Sequence, residues 1–578
     1  MRNHLIVIFA DMKTIKFIIL SFLLAIGVII TAQEIDYSKF DLHPPMDIPM
    51  VLAANFGELR SNHFHTGIDV KTYRKTGYNI LSIADGYVSR IKVSPWGYGH
   101  VVYIDHYDGL TSVYAHCEAF VGELATLAYM QQEDNEGFEI DYYPAKDSLR
   151  VKKGQIIAKS GNTGGSTAPH LHFEIRETKS ENALNPLLFG FDIADTQAPT
   201  IRGLKVYALT EEGYRVPNKS KLYNVYGSNG NYSISGGKVS LDASYTSKEG
   251  GVGFSVDVID RLDGANNKCG IHEAFFKSEK DTMFSQNMEH ISFYSNRHIN
   301  THKDYEEYHN RRKHFQKTFK TTHNPLPIYR EMKNNGILNV EPGKSYPIEY
   351  IAKDAYGNES QLKFQLDISD GKMIEAHQLF PNQKLLYPDS AFLSYKKTHY
   401  ILFPPGLLYE PTPLKLSSSN NLLKFGSDLV PLQETFKLML PILKGVAPDK
   451  QYIQRISRYG TKYAEGGTVK DGWITSRIKS FGEFSVAVDT IAPTIIARNF
   501  RDNSQVDGQI YWNIKEDESG LMDYDIYINK EWHLLEYEPK RSKYFFNPPK
   551  DFKGKKEVII RAIDACGNVK TEEYTLTF

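Results

Sequence analysis

The sequence predicts an all-β chain in which an antiparallel β-sheet domain is followed by small β-sandwich domains. Three observations carry this prediction. Segments of period-two alternation, such as Tyr524-Asp525-Ile526-Tyr527-Ile528 and Glu557-Val558-Ile559-Ile560-Arg561-Ala562, are punctuated by Gly and Asn turns. Aromatic residues that suit a pleated surface are abundant, with 37 Tyr and 31 Phe. At 578 residues the chain is too long for one core, and about three or four domains are expected.

The first element is a targeting segment. Lys13 and Lys16 precede an uncharged run from Phe17 to Ala32, which ends in Ile30-Thr31-Ala32 before Gln33. This is the pattern of a cleaved secretory signal over residues 1–32, and a start at Met12 would give it the usual charged opening. The run is shorter than the about 20 apolar residues that a membrane span needs. No cysteine lies near the cleavage point, which argues against a lipid anchor, and no later segment is long and apolar enough to span a bilayer. Residues 33–55, with Pro44, Pro45 and Pro49, read as an extended lead-in.

The stretch 33–190 holds the densest chemistry. His65 and Asp69 share one short segment, His116 follows Val113-Tyr114-Ala115 at an expected strand end, and His170-Leu171-His172 leads into Phe173-Glu174-Ile175. On a strand, positions i and i+2 share a face, so both imidazoles of the triplet are expected to point into one cleft. A catalytic zinc takes three protein ligands from imidazole and carboxylate groups and keeps a fourth position open. His65, Asp69 and one histidine of the later pair supply that count, leaving a neighbouring imidazole to handle protons. Gly161-Asn162-Thr163-Gly164-Gly165-Ser166 provides a tight approach to the triplet.

Several further motifs make the resemblance specific. Ala84-Asp85-Gly86-Tyr87-Val88, Gly97-Tyr98-Gly99, Val101 to His106, Tyr114-Ala115-His116 and Val151-Lys152-Lys153-Gly154-Gln155 all fall between the two histidine motifs. Together, over roughly residues 55 to 190, they resemble the LytM/lysostaphin-type zinc metallopeptidases, whose bacterial members cut peptide bonds in peptidoglycan. The resemblance implies an antiparallel β-sheet zinc peptidase domain with one zinc ion on His65, Asp69 and His172, and with His116 and His170 as the catalytic pair. It also implies peptidoglycan stem peptides as the partner. Two departures stand out. Cys117 takes the place of the family's usual Leu and reads as a small buried apolar residue. The segment between His116 and Val151 is longer than the family's and acidic, which predicts a solvated loop beside the cleft.

Internal repeats place the remaining domains. Asp195-Thr196-Gln197-Ala198-Pro199-Thr200-Ile201 recurs as Asp489-Thr490-Ile491-Ala492-Pro493-Thr494-Ile495, and Asp354-Ala355-Tyr356-Gly357-Asn358 recurs as Asp564-Ala565-Cys566-Gly567-Asn568. Each pair brackets a unit, at 195–370 and 489–578. The second motif looks like the late hairpin of bacterial Ig-like modules, which implies Ig-like β-sandwiches. The first unit is much the longer, with a charged insertion around 296–334 that includes His302-Lys303-Asp304-Tyr305-Glu306-Glu307 and is expected to be a solvated loop or surface helix. Residues 371–488 read as another β domain without a visible role.

Composition narrows the function classes. A net charge of -1 leaves no basic field for nucleic acid. Cys117, Cys269 and Cys566 are too few for a disulfide framework, although one bridge stays open. The expected function is an exported zinc metalloendopeptidase acting on peptide cross-links of the bacterial cell wall, in the periplasm or at the cell surface, with no membrane span after signal cleavage. The alternatives are a catalytically silent relative that regulates a wall hydrolase, and a surface or adhesion protein.

Overall fold

Alternating apolar residues and glycine turns fold residues 52–184 into one sheet. The computed structural model describes residues 35–375, 383–419 and 421–578, so the expected signal segment 1–32 and the start at Met12 lie outside the described residues. Residues up to Asp41 form a unit of their own, in which Tyr37–Lys39 make a 3-10 turn capped by the Asp36 side chain. The rest is mostly strand, as the sequence predicts.

The N-terminal sheet comprises β1 (Leu52–Ala54), β2 (Ile68–Lys71), β3 (Asn79–Leu81), β4 (Gly86–Val93), β5 (His100–His106), β6 (Leu110–Phe120), β7 (Ile140–Tyr142), β8 (Arg150–Val151), β9 (Ile156–Ser160), β10 (His170–Glu177) and β11 (Ala183–Leu184). Its order is β1-β2-β10-β6-β5-β4-β7, with β9 on β6 and β3, β8 on β4, and β11 on β10; His290–Ile291 of the next region pairs with β11 as a twelfth strand. The central strands β6 and β10 are buried along most of their length, and β10 buries alternating polar side chains, His172, Glu174 and Arg176, on one face. Gly67 is needed for β2 to reach β10, since a Cβ there would lie 2.3 Å from the Phe173 carbonyl oxygen.

The segment after β6 is not the expected loop. Its Leu124-Ala125-Thr126-Leu127-Ala128 run has high helix propensity, and it forms α1 (Glu123–Asp134), which buries Leu124, Ala128 and Gln132. The Gln132 side chain donates to the Phe138 carbonyl at 2.7 Å and so ties the helix to the return strand.

The three following β regions each have their own core. The first is an 11-stranded sheet assembly whose core includes Phe254, Phe276 and Phe364. It departs from a purely antiparallel plan, because Asn231–Ile234 and Lys238–Leu241 both pair parallel to Glu359–Ile368. The second has two five-stranded sheets around Phe403, Phe425, Phe436 and Phe481, and the last has two four-stranded sheets around Trp512, Ile526 and Ile560. The three cysteines are buried free thiols.

The charged insertion of the first unit is solvated only in part: Tyr305–Arg311 form the expected short surface helix, with Glu306, Asn310 and Arg311 exposed, but the residues before it are not. Residues 299–304 are all buried, Lys303 and Asp304 included. Asp304 is satisfied by Lys205 Nζ at 2.8 Å and Tyr207 Oη at 2.6 Å, and Lys303 Nζ donates to the carbonyls of Arg60 and Ser61 at 2.7 and 2.5 Å. Asn296 brackets Phe64, accepting from its amide at 2.6 Å and donating to its carbonyl at 3.3 Å. A shared apolar cluster, with Phe56, Leu59 and Phe64 from the first domain and Met288, Ile291 and Ile299 from the next, completes the contact. The insertion is therefore a buttress beneath the segment that leads to His65.

Candidate metal centre

The five side chains singled out in the sequence meet on one face of the central strands. Pairing of β10 with β2 sets His172 opposite Asp69, and pairing with β6 sets His172 opposite Ala115. Opposite residues of an antiparallel pair share a face, so strict alternation would aim His116 away from the site. It does not, because β6 carries extra residues where its register with β5 jumps from Val102↔Tyr114 to His100↔Cys117, and His116 itself has φ 61°. His116 therefore sits at a bulge inside β6 and not at a strand end, and the left-handed backbone returns its ring to the site. Its centroid lies 4.8 Å from that of His170 and 5.9 Å from that of His172.

His65 Nε2, Asp69 Oδ1 and His172 Nδ1 form a triangle with sides of 3.1, 3.0 and 2.9 Å. The second nitrogen of each imidazole is engaged elsewhere. His65 Nδ1 lies 2.8 Å from the Asn55 carbonyl and His172 Nε2 lies 2.9 Å from Glu174 Oε1, so each acts as the donor to its acceptor. With both imidazoles neutral in those tautomers, three lone pairs face one point, an arrangement that a cation completes by displacing the His172 Nδ1 proton. Ligands at about 2.0–2.2 Å from a tetrahedral ion stand about 3.3–3.5 Å apart, close to the observed triangle. Two nitrogens and one oxygen are a donor set suited to a transition metal, and the residues present fit one.

Glu174 anchors the arrangement, and sequence reasoning missed it. It is fully buried; its Oε1 accepts from Thr66 Oγ1 at 2.6 Å and Tyr98 Oη at 2.5 Å besides His172, and its Oε2 accepts from Arg176 Nε at 2.8 Å. The signal was present in the strand period: His170, His172, Glu174 and Arg176 alternate on one face of β10. Burial opposes the Glu174 charge, but Arg176 and His172 hold the carboxyl well below the usual range. Asp69 behaves alike, burial being outweighed by His65, His170 and His172. Burial works against a charged His172 as well, yet Asp69 and Glu174 push it up to about 9 when no metal is bound.

The other two histidines are held differently. His116 Nδ1 lies 2.8 Å from the Thr163 carbonyl and His170 Nδ1 2.8 Å from the Ala168 carbonyl, so each ring is anchored through Nδ1. His170 Nε2 is 3.4 Å from Asp69 Oδ1. Burial, then His172 and His170, push the His116 imidazole down to about 3, which keeps it neutral. Thr163 is positioned by Gly164 at φ 68°, where a Cβ would lie 2.3 Å from the Gly99 amide nitrogen. The last β unit reaches the same loop: Lys540 Nζ donates to the Asn162 carbonyl, and Tyr537 meets Trp96 at 6.3 Å between centroids. A cavity of about 460 Å³ lined by Glu118, Asn162, Thr163, Tyr537 and Lys540 lies between them.

Residues 63–135 and 138–186 match Peptidase family M23. The chain carries an M23 peptidase domain. Through this domain the chain is 34% identical over 118 residues to the DD-carboxypeptidase/endopeptidase Mpg of Neisseria meningitidis serogroup B, covering 20% of this chain and 21% of that protein. It is also 34% identical over 122 residues to the murein hydrolase activator NlpD of Escherichia coli, covering 21% of this chain and 25% of that protein. The chain thus spans only about a fifth to a quarter of the length of these relatives. Among solved structures it is similar to the catalytic domain of the antimicrobial peptidase lysostaphin from Staphylococcus simulans, with 25% identity, a TM-score of 0.19, and coverage of 24% of this chain and 91% of that one. Downstream of the M23 domain, residues 383–489, most of the β region that had no visible role in the sequence, match a Zu5-like domain.

Proposed function

We propose that the chain is an exported zinc metalloendopeptidase that hydrolyses peptide cross-links of bacterial peptidoglycan. The observation that carries this reading is the convergence of three donors, His65 Nε2, Asp69 Oδ1 and His172 Nδ1, beside two imidazoles anchored through Nδ1. A zinc ion on those donors would supply Lewis acidity toward the scissile carbonyl and lower the pKa of a water. His116 and His170, each fixed through Nδ1, form the pair that accepts a proton at Nε2 and stabilises the developing oxyanion. Glu174 keeps His172 in the ligating tautomer, and Arg176 keeps Glu174 charged. The relatives named for wall endopeptidase and murein hydrolase activation support stem peptides as substrate and the periplasm or cell surface as location. Among the described residues no helix is long and apolar enough to cross a membrane. The C-terminal β units serve as scaffold or recognition modules.

Incubation of purified sacculi with the protein and with a His170→Ala variant, followed by mass spectrometry of the released peptides, tests the reading. New stem-peptide ends that vanish in the variant support it. A second reading, a regulator of another wall hydrolase, draws on the equal similarity to an activator and on the Lys540 contact with the loop beside the site. Intact sacculi despite bound zinc would favour it.

A further inference from the structure

The two repeated sequence motifs converge in space, once in each outer β unit. In the first, Asp195 leaves the M23 domain, Asp260 directly follows strand Gly251–Ile259, and Asp354 directly follows Ser345–Lys353. In the last, Asp489 directly follows strand Gly482–Val488, Glu516 follows Ile510–Lys515, and Asp564 ends Lys555–Asp564. The equivalence extends to register. Thr200 pairs with Ile259 and Thr494 with Lys515, so Asp260 and Glu516 occupy the same position one residue beyond. Asn358 Nδ2 donates to the Asp195 carbonyl at 3.2 Å and to Asp354 Oδ2 at 2.7 Å, and Asn568 Nδ2 repeats this with Asp489 at 3.2 Å and Asp564 at 2.8 Å.

In each set the three carboxylates bring oxygens within 4.8 Å of one another. Some of their oxygens are satisfied locally: Asp354 Oδ1 accepts the amides of Tyr356 and Asn358, both at 2.9 Å, and Asp195 Oδ1 accepts the Gln197 amide at 3.1 Å. Asp260 is not. It is 1% exposed, no hydrogen bond reaches either oxygen, and one oxygen lies within 4.8 Å of an oxygen of each of the other two carboxylates. Among the described residues no Lys or Arg forms an ion pair with any of the three. Burial, then Asp195 and Asp354, push the Asp260 carboxyl up to about 8, against a smaller opposing influence from the Arg261 amide and guanidinium. A buried acceptor without a donor, between two like charges, is costly unless a cation joins them.

We propose that Asp195, Asp260 and Asp354 hold a divalent cation of the calcium class, whereas in the last unit the Asp489 and Asp564 carboxylates are already met by Ser519, Cys566 and Asn568. The donors are all carboxylate oxygens, which selects a hard cation and separates this site from the imidazole-bearing one. The site joins the residue leaving the M23 domain to two strand ends of the next unit, so occupancy stiffens that junction.

The test uses the full chain, freed of calcium on a chelating resin and resupplied with zinc. Equilibrium dialysis against radioactive calcium should give one ion per chain, none in Asp260→Asn and one in the control Glu516→Gln. Saturating calcium should raise the thermal midpoint of the wild type by roughly 5–10 °C. Without calcium, Asp260→Asn should unfold at a higher temperature than the wild type, since it removes repulsion at nearly constant shape, and this shows that lost binding is not lost folding. Absence of calcium binding by the wild type at millimolar concentration, or an unchanged stoichiometry in Asp260→Asn, overturns the proposal.

Discussion

Replacing Glu174 by Gln isolates the carboxylate that holds the site in register. Five donors converge on its two oxygens: His172 Nε2, Thr66 Oγ1 and Tyr98 Oη on Oε1, and Arg176 Nε and Nη2 on Oε2. An amide offers one acceptor oxygen and places an NH2 against donors in either orientation, so the isosteric change cannot satisfy both groups. It also strips the counter-charge from Arg176, which is 6% exposed. Breaking one side of a buried pair costs about 3–5 kcal/mol, a large part of the about 5–15 kcal/mol by which domains are stable. His172 loses its orienting acceptor, so zinc affinity should fall about tenfold to a hundredfold. Urea unfolding and competition with a chromogenic zinc chelator measure the two effects. The stability gap has a defined pH dependence. The folded Glu174 carboxyl lies well below its unfolded value of about 4.3, so its contribution is present above that value and is lost as pH falls through and below it. A loss below about 1 kcal/mol at neutral pH, with zinc affinity unchanged, would refute the role assigned to Glu174.

Three other outcomes follow from the same geometry. His116→Ala should lower turnover by about 10²- to 10⁴-fold while zinc content stays at the wild-type level; loss of zinc in this variant would instead make His116 a ligand. Because Asp69 and Glu174 hold the metal-free His172 protonated up to about pH 9, zinc binding must expel that proton. Affinity should therefore rise as pH increases toward about 9, and titration calorimetry in buffers of different ionisation enthalpy should register about one proton released at neutral pH. Asn296→Ala removes both partners of the Phe64 backbone, which lies under the His65 segment, and should cost about 1–3 kcal/mol in unfolding free energy.

The sequence exposed the chemistry of this site better than its support. His65, Asp69, His116, His170 and His172 were recognisable because their spacing is tied to one short segment, one bulged strand and one i, i+2 pair. Glu174 was open to the same period-two argument, but a carboxylate in an apolar strand carries no mark of the donors it will meet, and Tyr98 and Thr66 reach it from other segments. The orientation of His116 rests on a bulge, which alternation alone does not reveal. Charge misled in the insertion 296–334. Lys303 and Asp304 read as solvated, yet their partners are backbone carbonyls at Arg60 and Ser61 and side chains at Lys205 and Tyr207, all remote in sequence. The repeats at Asp195 and Asp489 were legible as motifs, but only the strand register places Asp260 and Glu516 at equivalent positions beside them.

The central claim is that a single zinc on His65, Asp69 and His172 makes this chain a wall endopeptidase. The most direct measurement pairs metal content with sacculus digestion in the same preparations of wild type and His172→Ala. The account predicts one zinc per chain and newly exposed stem-peptide ends in the wild type, with both lost in the variant. Stem-peptide release by a variant that has lost its zinc would contradict it.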